Sequence, residues 1–249
     1  MEDNPEILKI EKLKKYFGGL VAINGLDLNL KKGELRAIIG PNGAGKTTLF
    51  NLITGTLSPN EGKIFFRGED ITGLPSYKIS HKGIARTLQI TSIFPNLTVF
   101  ENVWSSVQSR KRILNPFIHA MSLTDVREKT EALISTVGLI EKKDQPASDI
   151  SYGDQRLLEI ALALGTEPEL LLLDEPTAGL GPGETKVLVG KIRELASKLT
   201  ILLVEHDMEV VMGLAERITV LHYGEKIAEG TPEEIKGDKE VKRIYLGSE

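Results

Sequence analysis

Short, mainly apolar runs recur along the chain, and each is followed by glycine or aspartate and then by a helical pattern of apolar positions. The clearest runs are Leu35–Ile39, Leu170–Leu173, Ile201–Val204 and Ile218–Leu221. Strands that alternate with helices in this way are typical of an α/β fold with a parallel sheet. Because Leu170–Leu173 has no polar alternation, we expect that strand to be covered on both faces; a buried piece of helix is the alternative, which its short length disfavours.

A helix that begins at Pro182 is predicted to cover this sheet. Its apolar residues lie on one face because they are separated by four, three and four positions: Leu188, Ile192, Leu195 and Leu199. Proline suits the first position of a helix, and Glu184 lies in the first turn.

Two further regions have different patterns. Residues 5–35 and 60–70 contain short alternating segments with glycine-containing turns, which predicts an antiparallel side sheet. Residues 98–165 are predicted to be mainly helical, with an amphipathic segment over 128–137 that ends at Gly138 and a polar loop over 141–149.

The length of 249 residues is enough for one substantial core without disulfides or metals. We expect a single domain, in which the core and the side sheet occupy about 1–90 and 166–249 and a helical subdomain is inserted over about 91–165. The absence of cysteine excludes disulfide scaffolds, thiolate metal sites and cysteine catalysis.

The charge balance gives no reason to expect nucleic acid as a partner. Lysine and arginine total 31 against 35 acidic residues, so the net charge is −4 and any bound anion needs a local site. Apolar runs reach only four or five residues, whereas a membrane span needs about 20. Because the acidic start of the chain lacks a secretory signal, we expect a cytoplasmic location.

A complete P-loop pattern follows the first apolar run and precedes a helical pattern. It comprises Gly40, Pro41, Asn42, Gly43, Ala44, Gly45, Lys46 and Thr47, and Thr48 extends the predicted nucleotide site. Glycines let backbone N–H groups approach phosphate oxygens, and a helix start favours an anion. Lys46 is predicted to neutralise the β and γ phosphates, and Thr47 to offer a hydroxyl to Mg²⁺. A glycine-rich turn without a ligand is the plain alternative, and Thr48 disfavours a dinucleotide site.

Two carboxylates follow the Leu170–Leu173 run, at the end of a central strand where open α/β sheets bind ligands. Asp174 is predicted to hold Mg²⁺ through water. Glu175 is predicted to polarise the water that attacks the γ phosphate, a role worth roughly 10²–10⁴ in rate. The alternative is a pair of solvated carboxylates.

With these motifs in place, the chain closely resembles the nucleotide-binding subunits of ABC transporters over essentially its whole length. The resemblance implies a P-loop NTPase (RecA-like) core with an antiparallel side sheet and a helical insertion. It also implies that Gln89, within the segment Gly83–Gln89, contacts the metal and senses the membrane partner.

The segment Ile150–Asp154 resembles the family's signature sequence, which opens a helix and completes the nucleotide site of the opposite protomer. Ser151 is a predicted N-cap with Asp154 at capping-box spacing; a merely well-capped helix is the alternative. By resemblance, Ser151 and Gly153 carry the nucleotide contacts. Tyr152 and Asp154 replace a glycine and a glutamine of the family pattern.

Three further positions are assigned by resemblance. His206, after the run Ile201–Val204, matches the switch histidine that reaches the γ phosphate. Phe17, 23 residues before Gly40, matches an aromatic that stacks on adenine, with burial as plain core as the alternative. Gly181 replaces the aspartate or asparagine that usually ends the family's D-loop.

Within the family, the chain looks most like the ATPases of branched-chain amino acid importers, while urea and amide importers and a lipopolysaccharide exporter share much of the pattern. The resemblance implies two protomers that sandwich two ATP molecules and drive a separate permease, fed by a solute-binding protein, on the cytoplasmic face of the membrane. The second protomer is either the same chain or a related ATPase. Residues near Gln89 and 94–102 are expected to meet the permease.

Three other classes are disfavoured. A GTPase needs an Asn-Lys-x-Asp type element, which is absent. A small-molecule kinase has no use for the Ser151 helix. A soluble ABC ATPase of DNA repair or translation usually carries a long coiled coil or a second cassette, and no sustained heptads occur.

Overall fold

A six-stranded sheet forms the centre of the computed structural model, which describes residues 5–87, 93–110 and 124–246. Its strands are β3 (Leu35–Ile39), β6 (Ile84–Arg86), β7 (Leu170–Asp174), β8 (Thr200–Val204), β9 (Arg217–His222) and β10 (Glu225–Gly230). The strand order is β10-β9-β3-β8-β7-β6. All pairs are parallel except β9 with β10. The predicted parallel sheet is therefore confirmed.

Both faces of this sheet are covered, as the unbroken apolar runs predict. In β7, Leu171 and Leu173 pack into a core shared with the helical segments, whereas Leu170 and Leu172 pack against the side sheet and the first helix. Every residue of β7 is buried. Alternate side chains of a two-sided strand enter different cores, which is why no polar residue interrupts the run.

Six α-helices of the described residues lie outside the segment between β6 and β7. They are α1 (Lys46–Ile53), α2 (Ser76–Lys82), α6 (Pro182–Ala196), α7 (Met208–Leu214), α8 (Pro232–Gly237) and α9 (Lys239–Leu246). The predicted helix at Pro182 is confirmed as α6, whose Leu188, Ile192 and Leu195 are buried. Leu199, predicted on the same face, lies beyond the end of this helix and is partly buried. No helix of the described residues is long and apolar enough to traverse a bilayer.

A four-stranded antiparallel sheet lies beside the core, as predicted. Its order is β2-β1-β4-β5, with β1 (Glu6–Phe17), β2 (Leu20–Lys31), β4 (Glu61–Phe66) and β5 (Glu69–Asp70). The turn between β1 and β2 contains Gly18, whose φ of +57° favours glycine. This hairpin brings β2 close to the start of α1.

Between β6 and β7 the described residues form three α-helices, α3 (Val99–Ser109), α4 (Thr124–Val137) and α5 (Tyr152–Gly165), and a short 3-10 helix at Ile140–Lys142. Thr98 and Glu101 form a capping box at the start of α3. The amphipathic segment 128–137 lies in α4, which begins four residues earlier, and Gly138 follows it with a φ of +84°. This part of the chain was predicted to be mainly helical, and its helices contact one another and pack into the same apolar core as one face of the central sheet.

Candidate nucleotide and metal site

The P-loop connects β3 to α1 and is held from two sides. A Cβ at Gly40 would lie 2.2 Å from the carbonyl oxygen of Leu221, and a Cβ at Gly45 would lie 2.5 Å from that of Ala22. Gly45 also has a φ of +104° and is the N-cap of α1, with no side chain capping it. The loop therefore needs glycine at these points, and the first-turn N–H groups of α1 are free of side-chain caps.

We expect Gly45→Ala to damage this loop. A side chain at a left-handed φ costs about 1–3 kcal/mol, which lowers Tm by roughly 2–12 °C for a chain of this size. Nucleotide binding should weaken as well, because the shifted backbone misdirects the N–H groups. Thermal unfolding and nucleotide titration measure both effects.

Gly190→Ala is the matched control, since Gly190 lies inside α6 with no atom within 4 Å of its added Cβ. There we expect stability to rise by about 0.5–1 kcal/mol with unchanged nucleotide affinity. Equal behaviour of the two variants would contradict the constraint assigned to Gly45.

Lys46 lies at the first position of α1 and is almost completely buried. Its Nζ donates to the carbonyl oxygens of Gly40 at 2.6 Å and of Pro41 at 3.0 Å. Burial lowers the pKa of Lys46 from its usual value, and the carboxylates of Glu175 and Asp174 oppose this shift. The lysine therefore lies within the electrostatic reach of both predicted acidic residues, while the next residue, Thr47, is exposed.

Glu175 and His206 are brought together, although 31 positions separate them. Glu175 follows β7 with a φ of +49°, and its N–H donates to the carbonyl oxygen of Val204 at 2.8 Å. The Nε2 of His206 lies 2.9 Å from Glu175 Oε1. Both residues were predicted separately from the sequence, and the structure places them in one hydrogen-bonded pair.

Asp174 is 1% exposed and forms an ion pair that the sequence analysis missed. The Nη2 of Arg86 lies 2.6 Å from Asp174 Oδ2. Asp174 Oδ1 is buried and has no hydrogen-bond partner among the described residues. The alternative of a solvated carboxylate is thus excluded for Asp174, because the edge strand β6 supplies an arginine across the sheet end.

Glu205 is a second residue that the sequence analysis missed. It is buried, and its Oε1 accepts hydrogen bonds from the N–H and the hydroxyl of Thr177 at 2.9 and 2.6 Å. Its Oε2 accepts from the N–H of His206 at 3.0 Å. The position directly before the histidine was the available signal, and the hydrogen bonds of Glu205 join the turn after β7 to the end of β8.

The signature-like segment has its hydrogen bonds to the start of α6 and to its own helix. Ser151 is the N-cap of α5 and accepts from the N–H of Asp154 at 3.2 Å, as predicted. The N–H of Gly153 donates to Glu184 Oε1 at 3.1 Å. The reciprocal half of a capping box is not formed, because the carboxylate of Asp154 pairs with Lys142 instead.

Two residues that depart from the family pattern, Tyr152 and Gly181, contact neighbouring turns and helix starts. The ring of Tyr152 lies 3.2 Å from the place of a Cβ at Gly179, which has a φ of +81°, and its hydroxyl accepts from Arg156 Nη2 at 2.6 Å. Gly181 is the N-cap of α6, and its N–H donates to Glu184 Oε2 at 3.3 Å. The tyrosine therefore packs the start of α5 against the turn that follows Glu175.

Phe17 and Gln89 are the two remaining predicted site residues. Phe17 ends β1 with 45% of its surface exposed, so it does not pack as plain core, and Lys15 Nζ lies 5.2 Å from its ring centroid. The hairpin it belongs to contacts the P-loop through Ala22 and Gly45. Gln89 lies outside the described residues.

Known proteins are similar to this chain in sequence and in fold. A family model described as ABC transporter matches residues 23–178, and one described as branched-chain amino acid ATP-binding cassette transporter matches residues 225–249. The high-affinity branched-chain amino acid transport ATP-binding protein LivG of Escherichia coli (strain K12) is 43% identical over 251 residues, covering 97% of this chain and 98% of that protein. The corresponding protein BraF of Pseudomonas aeruginosa is 40% identical over 252 residues, with the same 97% and 98% coverage.

Two solved structures are informative. The ADP conformation of an ATP-binding cassette of an ABC transporter has a TM-score of 0.87 at 35% identity, covering 98% of this chain and 100% of that one. A dimeric post-hydrolysis state of a cassette bound to ADP and Pi has a TM-score of 0.78 at 27% identity, covering 91% and 99%.

Proposed function

Because the chain belongs to the ABC transporter family, we propose that it is the ATP-binding, ATP-hydrolysing subunit of an importer of branched-chain amino acids. The observation that carries the substrate class is the near-full-length identity to LivG and BraF. The match of residues 225–249 to a model of branched-chain amino acid cassettes adds a second, separate stretch of the chain.

The P-loop holds the phosphates of ATP. Its backbone N–H groups and the start of α1 form the anion site. The side chain of Lys46 contacts the loop at Gly40 and Pro41. Phosphate oxygens replace the carbonyl partners of Lys46 and compensate the cost of burying its charge. In this account Thr48 completes the loop's contacts, and Phe17 stacks on the adenine, which its exposure at the end of β1 permits.

The residues present also fit Mg²⁺. This hard cation prefers oxygen ligands and keeps several waters, and the site offers the hydroxyl of the exposed residue Thr47 and the unpaired Oδ1 of Asp174. Thr47 and Asp174 would hold it, together with Gln89. When bound, the metal neutralises the charge that develops on the phosphates.

Hydrolysis uses the pair of Glu175 and His206. Glu175 accepts a proton from the attacking water. The water oxygen bonds to the γ phosphorus as the bond between that phosphorus and ADP breaks. The hydrogen bond from His206 holds the carboxylate in place, and Glu205 holds the backbone of His206. This arrangement supports the assignment of Glu175, His206 and Lys46 as the catalytic residues.

Two protomers complete the sites. Each nucleotide lies between the P-loop of one protomer and the Ser151–Gly153 helix start of the other, which is either a second copy or a related ATPase. The dimeric cassette among the structural relatives supports this proposal. The contacts of the opposite Ser151–Gly153 helix start to the γ phosphate exist only in the closed dimer, so ATP shifts the equilibrium towards closure and hydrolysis removes that bias.

Closure drives a transmembrane permease at the cytoplasmic face of the membrane, and a solute-binding protein delivers the amino acid. The helical subdomain, about 91–165, provides the docking surface near Gln89 and 94–102. The exposed ring of Phe94 supports this proposal. Buried Asn102 accepts from the N–H of Phe94 at 2.8 Å and donates to its carbonyl at 3.0 Å. These two hydrogen bonds hold the backbone of Phe94 against α3.

Transport by the whole assembly tests the proposed substrate. The chain is purified with the permease that co-purifies from detergent-solubilised membranes, and both are reconstituted in lipid vesicles with the binding protein and ATP. We expect ATP-dependent uptake of labelled leucine and none with Glu175→Gln. Uptake of urea or a short-chain amide instead, export of lipopolysaccharide, or co-purification with ribosomes or DNA would overturn the proposed substrate or the transport role.

A further inference from the structure

Arg86 is the last residue of β6, the edge strand of the central sheet, and its guanidinium points to the end of β7. The side chains of Arg86 and Asp174 are 9% and 0% exposed, so their ion pair is buried. Nη2 of Arg86 lies 2.6 Å from Asp174 Oδ2. The arginine thereby contacts the carboxylate to which the proposed function gives the metal.

The guanidinium is also fixed to the helix that carries the P-loop. Its Nη1 donates to Asn51 Oδ1 at 2.6 Å, and its central carbon lies 5.4 Å from the centroid of the Phe50 ring. Asn51 and Phe50 both belong to α1. Arg86 is therefore a rigid link between α1 and the acidic end of β7, since a planar guanidinium holds two partners in fixed directions.

The pairing treats the two oxygens of Asp174 differently. Oδ2 is engaged by Arg86, whereas Oδ1 is buried and has no hydrogen-bond partner among the described residues. A buried carboxylate oxygen without a donor is costly unless a ligand satisfies it. The free oxygen thus points to a cationic ligand, or to water bound by one, as its partner.

We propose that Arg86 is a positioning residue for the metal centre: by holding Oδ2 of Asp174 and bracing it against Asn51, it leaves Oδ1 to serve the Mg²⁺ of the nucleotide. This inference rests on the proposed placement of Mg²⁺ between Thr47 and Asp174. Residues that hydrogen-bond to metal ligands orient those ligands, and their loss typically lowers metal affinity about 10- to 100-fold.

Without Arg86, neither oxygen of the Asp174 carboxylate would have a hydrogen-bond partner among the described residues. The carboxylate would then lose the contact that fixes its orientation towards the metal. Loss of Arg86 should therefore weaken the cooperation between Mg²⁺ and nucleotide instead of strengthening it.

The test measures that cooperation by binding alone. Calorimetric titration gives the dissociation constant of ADP in excess EDTA and in excess Mg²⁺, and their ratio is the Mg²⁺ enhancement. We expect Arg86→Met to lower the enhancement by about 10- to 100-fold, up to its complete loss, with ADP affinity in EDTA unchanged. Arg86→Lys should restore part of it, because an ammonium holds one carboxylate oxygen without bridging to Asn51.

A double-mutant cycle separates positioning from general damage. If Arg86 acts through Asp174, Arg86→Met adds nothing to the enhancement measured in Asp174→Asn. Arg36→Met is the matched control. Arg36 also forms a buried ion pair, with Glu34 at 2.6 Å, but it lies near the start of β3, at the end away from the P-loop. Arg36→Met should lose stability and keep the wild-type enhancement.

Each outcome bears on a separate claim. An Asp174→Asn protein with wild-type enhancement would remove Asp174 from the metal site, and with it the proposed function's metal placement. If Asp174→Asn loses the Mg²⁺ enhancement as expected, while Arg86→Met keeps or increases it, the positioning role alone would be overturned. If Arg86→Met does not fold, Asn51→Ala decides: we expect a smaller fall in the same direction, and a wild-type enhancement would overturn the inference.

Discussion

Replacing Glu175 by Gln is expected to stop ATP hydrolysis while ATP binding persists. The amide keeps the size of the side chain and can still bond to His206, which lies 2.9 Å from Glu175 Oε1, but it cannot accept the proton of the attacking water. Loss of a general base costs roughly 10²–10⁴ in rate. Phosphate release assays measure the turnover, and nucleotide titration measures the binding.

The same variant should accumulate as an ATP-bound dimer, because closed protomers no longer lose the γ-phosphate contacts that hold them. Size-exclusion chromatography with and without ATP reports this directly. Glu194→Gln is the matched control: it makes the same chemical change on the exposed surface of α6, where Glu194 pairs with Lys191 at 3.0 Å. Wild-type turnover in Glu175→Gln would remove Glu175 from the mechanism.

Replacing Lys46 by Ala should weaken nucleotide binding itself. Hydrogen bonds to a charged group contribute about 1.5–3 kcal/mol, so the dissociation constant for a non-hydrolysable ATP analogue should rise roughly 10- to 150-fold. Calorimetry of binding measures this change. An unchanged affinity would contradict the phosphate contact assigned to Lys46.

Stability distinguishes this effect from damage to the fold. Burial lowers the pKa of Lys46, which means that the fold bears a cost for the charged form. Removing the ammonium should therefore leave Tm unchanged or slightly higher, although its bonds to Gly40 and Pro41 are lost. A large fall in Tm would indicate that Lys46 serves the loop's structure more than the nucleotide.

The sequence allowed the central sheet to be predicted because each main strand is buried on both faces. Leu170–Leu173 could hold no polar residue, since neighbouring side chains enter two different cores. The three-residue strand β6 lacked such a signal. Its length is below that at which periodicity distinguishes a strand from a loop.

The candidate site was predictable where its chemistry is local. Gly40–Thr47 and the pair Asp174 and Glu175 are contiguous motifs, and their positions follow from the strands before them. The ion pair of Arg86 with Asp174 spans 88 positions, and the bond from Gly153 to Glu184 spans 31. No periodic pattern encodes such contacts, because they arise from the way strands and helices pack.

One local expectation was wrong for a long-range reason. Asp154 stands at capping-box spacing from Ser151, yet its carboxylate pairs with Lys142, which the preceding loop brings close. An ammonium is a stronger partner than a backbone N–H, so tertiary structure overrides the local cap. Ser151 nevertheless remains the N-cap of α5.

Dependence of turnover on protein concentration tests most directly whether ATP is hydrolysed between two chains. ATPase activity per molecule is measured over a dilution series of the purified chain. We predict that it falls towards zero as dilution separates the protomers, and that an excess of Lys46→Ala protein changes it by forming mixed pairs. Activity per molecule that stays constant at every dilution would show that one chain suffices and would contradict the shared site.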